Sequence, residues 1–187
     1  MRYLANRSSG RVGVSIAKAA AELGCTTQLL LGPICESDLE AVSPHLRVSR
    51  FRTARELERL LGEFMPTSDI LIMAAAVADY RPKNPCETGK LRRTNSDLHL
   101  ELESVPDLLR GVAGRRQPGQ TLVGFALEPA EGLREAAEAK LQAKGIDLIV
   151  GNALETMDAG GIDAVLIGRD GLIDGTPGRI AKNEFGR

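Results

Sequence analysis

The sequence predicts a doubly wound α/β fold around a mostly parallel sheet, and two observations support this prediction. Short apolar runs of strand length alternate with amphipathic segments of about a dozen residues, the pattern of strands joined by crossover helices. The chain has 187 residues, which is about the size of one domain and long enough to bury a single core. We therefore expect one domain over residues 1–187.

Composition and charge exclude several classes of protein. Hydrophobic residues make up 43% of the chain and charged residues 26%, as in ordinary globular proteins. The net charge of -1 and the lack of an aromatic-rich basic segment argue against nucleic-acid binding. No apolar run approaches the roughly 20 residues of a membrane span, and no export signal is evident, so we expect a cytoplasmic protein without a membrane partner. The cysteines lack metal-ligand spacing.

A polar loop over residues 1–10 opens the first predicted helix, whose apolar residues recur at helical spacing until Gly24 ends it. Ser8, Ser9 and Gly10 would lie at the N-terminus of this helix, where backbone amides can bind a phosphate group. The alternative is a plain N-cap, in which a serine bonds the first helical amides and nothing else binds.

Two strands and a helix follow this loop and helix. The strands are predicted at residues 26–31 and 47–51, the second near an edge because it offers little apolar surface. Thr53 suits the N-cap of a helix over residues 54–64, whose leucines form an apolar inner face.

A buried strand over residues 69–77 is the element around which the chain is organised. Small side chains at its far end, including Ala75 and Ala76, leave room for a ligand near the backbone, and Asp79 follows them. Ligands in open α/β sheets collect at the carboxyl ends of strands. Residues 81–93 then supply five cations, two prolines and a glycine, which favours a basic lid over an anion.

The region after the lid predicts one exposed strand and one short helix. Residues 98–103 alternate apolar and charged side chains, as in a half-exposed strand. Pro106 suits the first position of a helix ending at Gly114, with Asp107 in its first turn.

The next predicted strand, residues 121–126, contains a glycine followed by an aromatic residue. Gly124 and Phe125 could admit and stack a nucleobase, but core packing with a glycine for clearance is the interpretation that the residues alone favour.

The last third predicts a helix, a strand and a hairpin. The helix covers residues 130–144 and presents Lys140 and Lys144 one turn apart. A strand follows at 146–150, and an antiparallel hairpin over 164–173 extends the sheet. Neither common glycine-rich nucleotide fingerprint is present, so a nucleotide would be held differently.

Six segments, taken in order, resemble those of the phosphopantothenate–cysteine ligase family. Residues 6–13 are similar to its N-x-S-S-G-[KR]-x-G segment, and residues 74–80 to its A-A-A-V-[AS]-D-[WYF] segment. The other segments are residues 90–93, 105–108, 123–128 and 140–149.

The resemblance implies a Rossmann-like fold and a CTP-dependent amide-forming reaction, with ATP as an open alternative. The carboxylate of 4′-phosphopantothenate would attack the α-phosphate of CTP, giving an acyl-cytidylate and pyrophosphate, and the amine of cysteine would then displace CMP. Magnesium is expected through the nucleotide phosphates, with no protein ligand assigned. Relatives are dimers, so a homodimer is expected.

The resemblance also implies site residues. Asn6 and Lys90 are the expected catalytic residues. The expected nucleotide-binding residues are Asp79, Lys90, Pro106, Asp107, Leu108, Leu109, Phe125, Lys140 and Lys144. The expected substrate-binding residues are Arg2 (reaching into the partner's site), Asn6, Ser8, Ser9, Gly10, Ala75, Ala76, Arg92 and Arg93.

The sequence departs from the family pattern in three places. The usual first strand with its Gly-Gly-Thr-[RK] loop is missing, the closing helix is reduced to residues 179–187, and the lid has one extra residue. A catalytically inactive member that binds phosphopantothenate or nucleotide without turnover is therefore the alternative function. No flavin is expected, since the decarboxylase domain that often precedes this one is absent. A dehydrogenase lacks support because the glycine fingerprint is absent.

Overall fold

Helices and strands alternate along the chain in an α/β arrangement. The computed structural model describes residues 6, 8–33, 44–85, 97–156, 160–176, 178–182 and 184–186. Its helices are α1 (Arg11–Glu22), α2 (Ala54–Phe64), α3 (Leu108–Ala113) and α4 (Leu133–Lys144). Its strands are β1 (Thr27–Leu31), β2 (Leu46–Arg50), β3 (Ile70–Met73), β4 (Tyr80–Pro82), β5 (Leu102–Ser104), β6 (Thr121–Glu128), β7 (Leu148–Ala153), β8 (Gly161–Ile162), β9 (Ala164–Gly168), β10 (Gly171–Gly175) and β11 (Ile180–Ala181). Among the helices described, none is long and apolar enough to cross a bilayer.

The main sheet has five strands in the order β10-β9-β7-β6-β3. Strands β3, β6 and β7 run parallel, while β9 is antiparallel to β7 and forms a hairpin with β10. The prediction of a mostly parallel sheet with a C-terminal antiparallel hairpin is confirmed. Strands β8 and β11 form a separate antiparallel pair.

A second, two-stranded sheet contains β1 and β2, which run parallel. Leu30 of β1 and Leu71 of β3 pack against the same core, and α2 also packs against β1. On the other side, α1 packs against β1, and Gly13 of α1 faces Ala74 just after β3. Strands β1 and β3 thus lie between the same helices, yet no strand of the described residues pairs with both. Within the described residues the sheet is interrupted between these two strands, and the absence of the usual first strand stays a prediction.

Alternate residues of β6 face two different cores. Leu122 and Ala126 lie in the larger cluster, together with residues of α2, α3 and α4. Val123 belongs to the second cluster, against which Val12 of α1 and Phe125 pack. Successive side chains of a strand point to opposite faces, so helices cover both faces of β6.

The helix α2 forms where it was predicted because its start is fixed locally. The Thr53 hydroxyl accepts a hydrogen bond from the amide of Glu56, and the Glu56 carboxylate accepts one from the amide of Thr53, which makes a capping box. Leu57, Leu60 and Leu61 are buried against the core. The strand near an edge is also confirmed, since β2 pairs only with β1 in the described part.

Two helices begin later than predicted. Asp107 is the N-cap of α3 rather than a first-turn residue, because its carboxylate accepts a hydrogen bond from the amide of Arg110, and Pro106 therefore lies outside the helix. Helix α4 begins at Leu133 instead of residue 130, because Gly132 adopts a left-handed conformation with φ of 75°.

Two predicted strands are shorter than expected. Strand β3 ends at Met73, since the amide of Val77 donates to the carbonyl of Ala75 at 3.0 Å and closes a turn. The strand predicted at 98–103 is reduced to Leu102–Ser104, which pairs with β4. The first two residues of the predicted lid, Arg81 and Pro82, therefore belong to strand β4.

Candidate functional site

The carboxyl ends of β3 and β6 form one edge of the main sheet, and the loop that precedes α1 lies against it. The side-chain amide of Asn6 donates a hydrogen bond to the carbonyl of Val77 at 3.1 Å. A Cβ atom added to Gly13 would lie 3.7 Å from Cβ of Ala74, so α1 approaches the alanine stretch closely. The structure thus brings Asn6 and the segment containing Ala75 and Ala76 together.

The N-terminus of α1 carries no side-chain cap from the described residues. Its N-cap is Gly10, with φ of 70°, and a left-handed backbone favours glycine there. The hydroxyls of Ser8 and Ser9 accept from the amides of Gly10 and Arg11 at 3.4 and 3.5 Å. Neither serine occupies the N-cap position, but Ser9 bonds the amide of the first helical residue, so the plain cap and the anion site both stay predictions.

The ribbon formed by β4 and β5 joins Asp79 to the loop before α3. The carbonyl of Asp79 accepts a hydrogen bond from the amide of Val105 at 2.8 Å, which places Asp79 beside Pro106. On the same ribbon, Arg81 bonds Glu103 at 2.7 Å. Arg81 was expected to be a lid cation, but it is engaged in the ribbon.

Two ion pairs connect α4 to this side of the molecule. Lys144 binds the carboxylate of Asp107 at 2.5 Å, and Lys140 binds Glu128, the last residue of β6. Partial burial by itself would raise the pKa of Asp107, but hydrogen bonds from Lys144 and from backbone amides, with the lysine charge, hold that pKa below its ordinary value. Lys140 therefore lies near the carboxyl end of β6, and Lys144 lies near the start of α3.

The predicted nucleotide residues divide between two faces of β6. Leu108 and Leu109 are buried in the larger core, 8% and 6% exposed, so only their backbone is available to a ligand. A Cβ atom on Gly124 would lie 2.7 Å from Ile146 and 3.0 Å from Leu109, which supports the core-packing interpretation. Phe125 is half-buried on the opposite face, away from the leucine side chains.

Four predicted residues, Arg2, Lys90, Arg92 and Arg93, lie outside the described residues. Two groups contact predicted site residues but were not themselves predicted: Glu128, the partner of Lys140, and the carbonyl of Val77, the partner of Asn6. The sequence could have indicated Glu128, because it is a carboxylate at the end of a buried strand. The same pattern led to the prediction of Asp79. The sequence could not have indicated the carbonyl of Val77, since backbone groups occur at every residue.

The carboxylates at this edge do not form a metal site by themselves. Asp107 and Glu128 bind lysines, whereas the carboxylate of Asp79 has no bonded partner among the residues that the structure describes. In the described part of the chain, no three His, Cys, Asp or Glu side chains are grouped so that they could hold a metal ion. The donor set fits a magnesium ion that is carried mainly by phosphate oxygens.

Comparison with known proteins defines the class. The sequence profile of the DNA/pantothenate metabolism flavoprotein C-terminal domain family matches residues 1–177. The chain therefore belongs to this family.

Several curated relatives share the domain. The coenzyme A biosynthesis bifunctional proteins CoaBC of Bacillus subtilis and Mycobacterium tuberculosis are 32% and 35% identical to the chain over 160 and 164 residues, covering 86% and 82% of it. A cysteine/cysteine sulfinic acid decarboxylase from an unknown prokaryotic organism is 35% identical over 160 residues, or 86% of the chain. The aligned part is 43% of that decarboxylase and 38% of each bifunctional protein, so the chain spans about two fifths of these relatives. Their names alone do not locate an activity in the shared part.

Solved structures support the same fold. The crystal structure of the C-terminal domain of CoaBC is 29% identical, with a TM-score of 0.78 over 100% of this chain and 82% of that one. A Cab2 mutant in complex with phosphopantothenate-cysteine is 18% identical, with a TM-score of 0.76 over 98% of this chain and 77% of that one. At 18% identity the likeness concerns the fold alone.

Proposed function

We propose that this protein is a phosphopantothenate–cysteine ligase that acts in coenzyme A biosynthesis. The observation that carries the proposal is the hydrogen bond from Asn6 to Val77, which joins the serine loop to the alanine strand end. Family membership and the CoaBC relatives at 30–35% identity support it.

The N-terminus of α1 would bind the phosphate of 4′-phosphopantothenate. Ser8 and Ser9 have hydroxyl groups in this turn, and the N-cap residue Gly10 has no side chain that would block the helical amides. The helix dipole also favours an anion at this end. Ala75 and Ala76 are exposed next to this turn, so the pantothenate arm could lie along the backbone toward Asp79.

The reaction would proceed in two displacements at the strand end. An oxygen of the phosphopantothenate carboxylate attacks the α-phosphorus of CTP, and pyrophosphate leaves. The amine of cysteine then attacks the acyl carbon, the bond to the cytidylate oxygen breaks, and CMP leaves as the amide forms and the ammonium proton is released. Asn6 is a neutral donor that would hold an acyl oxygen without repelling the phosphates.

The nucleotide would lie between the strand end and α4. Asp79 and the backbone of residues 106–109 would contact the nucleoside at the strand end, and Phe125 would reach it from the opposite face of β6. Lys140 and Lys144 would face the triphosphate. These lysines already point to this edge through Glu128 and Asp107. Magnesium bound to the phosphates would neutralise charge on the leaving group. Lys90, Arg92 and Arg93 would close over the phosphates, with Lys90 stabilising the charge that develops at the α-phosphorus.

A homodimer is part of this proposal, because Arg2 would complete the substrate site of the partner subunit. The ribbon supports it. A ribbon of two three-residue strands is marginal in water unless it packs against something. The ribbon and the segment that leads into β5 expose large apolar side chains. These are Tyr80, Leu98, Leu100 and Leu102, each at least 49% exposed. A second copy would cover them.

The test is a turnover assay with purified protein. Phosphopantothenate, magnesium and CTP should release pyrophosphate, and added cysteine should give phosphopantothenoylcysteine, with ATP replacing CTP in a parallel reaction to settle the nucleotide. Lys90→Gln should abolish pyrophosphate release, whereas Arg134→Gln, a change in a surface pair with Glu138, should not. Absence of pyrophosphate release from the unchanged protein with either nucleotide would overturn the proposal.

The interrupted sheet favours one alternative, a protein that binds these ligands without turnover. Strands β1 and β3 lack a shared neighbour among the described strands, and β3 ends at the site. Calorimetry would separate the two functions: the binder shows heat on addition of phosphopantothenate or CTP but releases no pyrophosphate.

A further inference from the structure

A cleft of about 480 Å³ lies at the other end of the sheet from the candidate site. Pro66 and Gln120, which line it, precede β3 and β6, whereas the candidate site follows these strands. Its volume is within the range of about 300–1,000 Å³ that small-molecule sites occupy. The proposed ligase reaction uses none of its residues.

The walls of the cleft are fixed by hydrogen bonds. The side-chain amide of Gln120 donates to the carbonyls of Met65 and Ser68, both at 2.7 Å. Its side-chain oxygen accepts from the amide of Gln117 at 2.8 Å. These bonds tie the loop after α3 to the connection between α2 and β3, so the cleft is formed before any ligand arrives.

Four guanidinium groups and one carboxylate line the cleft. Arg55, Glu58, Arg59 and Gly62 lie on one face of α2, at spacings of three and four residues. Two more arginines come from the loop after α3.

The arginines differ in whether they have partners. Arg59 pairs with Glu63 at 2.9 Å, and Arg116 pairs with Asp147 at 2.7 Å. Arg55 and Arg115 form no ion pair with any described residue. Solvated surface charge is the ordinary explanation for a single arginine, but two unpaired guanidinium groups on one preformed cleft favour an anion between them.

The floor of the cleft is apolar. Leu61 and Val112 are buried, Met65 is half-buried, and all three line the cleft. Nothing lies within 4 Å of the position that a Cβ atom on Gly62 would take, so space remains above the helix. A ligand that fits has an apolar body as well as an anionic group.

We propose that this cleft is a second ligand site, which binds a phosphate monoester attached to an apolar group. The phosphate lies between Arg55 and Arg115, and the apolar group lies over Gly62 against Leu61 and Val112.

The experiment is an NMR titration of the 15N-labelled full chain with phenyl phosphate. The amides of Gly62, Gln117 and Gln120, which line the cleft, should shift. Inorganic phosphate, which lacks the apolar group, and benzyl alcohol, which lacks the charge, should each bind at least about tenfold more weakly. Shifts confined to residues 8–13 would place the ligand at α1 and overturn the proposal, as would equal binding of inorganic phosphate.

Variants separate charge from space. Arg55→Gln and Arg115→Gln should each weaken binding about tenfold or more, because each removes one charge-assisted hydrogen bond. Gly62→Leu should block the cleft while favouring the helix, so loss of binding there cannot come from unfolding. Arg134→Gln, an exposed arginine on α4, is the control and should bind as the unchanged protein does. Unaltered affinity in the Arg55, Arg115 and Gly62 variants would contradict the site.

Discussion

Replacing Gly124 with alanine tests why β6 contains a glycine. The added Cβ would lie 2.7 Å from Cδ1 of Ile146 and 3.0 Å from Cδ2 of Leu109, both well inside ordinary contact. Overpacking of this kind costs about 1–3 kcal/mol, and the lower chain entropy of alanine in the unfolded state returns about 0.4–1 kcal/mol. We expect the free energy of unfolding to fall by about 1–2 kcal/mol.

A second substitution makes the test specific. Ile146→Val removes the Cδ1 atom that the new methyl group would meet, and alone it costs about 1 kcal/mol. The double variant should be more stable than the sum of the two losses by about 1 kcal/mol, a coupling typical of residues in contact. Urea unfolding of the four proteins measures it. Additive losses, with a large drop in CTP affinity for Gly124→Ala, would refute core packing and favour a glycine that admits a nucleobase.

Three further predictions concern ion pairs and the ribbon. Burial would raise the pKa of Asp147, but hydrogen bonds from the amide of Leu122 and from Arg116 lower it, as do the charges of Arg116 and Arg169. Asp147→Asn should therefore lower the free energy of unfolding by about 1–2 kcal/mol at neutral pH. In urea unfolding, the difference in free energy of unfolding between the two proteins should reach its full size above about pH 4. It should vanish as the pH falls through the lowered pKa of Asp147. A difference that stays constant with pH would contradict this prediction. Lys144→Gln should raise the pKa of Asp107 toward its ordinary value in an NMR titration, whereas Lys140→Gln should leave it unchanged; equal effects would contradict the pairing. Leu100→Glu, in the segment that leads into β5, should convert a dimer to a monomer in sedimentation, whereas Leu172→Glu, at the same 50% exposure on β10, should not. A dimer that persists in Leu100→Glu excludes this segment and the adjoining ribbon as its interface.

Local signals were sufficient to predict much of the fold. Helix α2 has the predicted bounds because about a dozen consecutive residues contain both its capping box and its apolar face. The hairpin of β9 and β10 was predicted for the same reason, since its turn residues lie between two apolar runs. Element ends that depend on a single backbone conformation were not predictable, as at Gly132.

The candidate site was predictable in its positions but not in its contacts. The rule that ligands collect at carboxyl ends of strands selected Asp79 and the alanines, and the structure places Asn6 against that segment. The partners of the lysines were not predictable, because Lys144 and Asp107 are 37 residues apart and no periodic pattern links them. The engagement of Arg81 by Glu103 also depends on strand pairing that the sequence pattern did not indicate.

The most direct test of the account compares the two half-reactions in the unchanged protein and in Asn6→Asp. A carboxylate cannot donate the hydrogen bond that Asn6 makes to Val77, and its charge repels the phosphates of the acyl intermediate. We predict that both proteins release pyrophosphate from CTP with phosphopantothenate, and that only the unchanged protein then forms phosphopantothenoylcysteine when cysteine is added. Equal yields of phosphopantothenoylcysteine from both proteins would contradict the placement of Asn6 at the reacting centre.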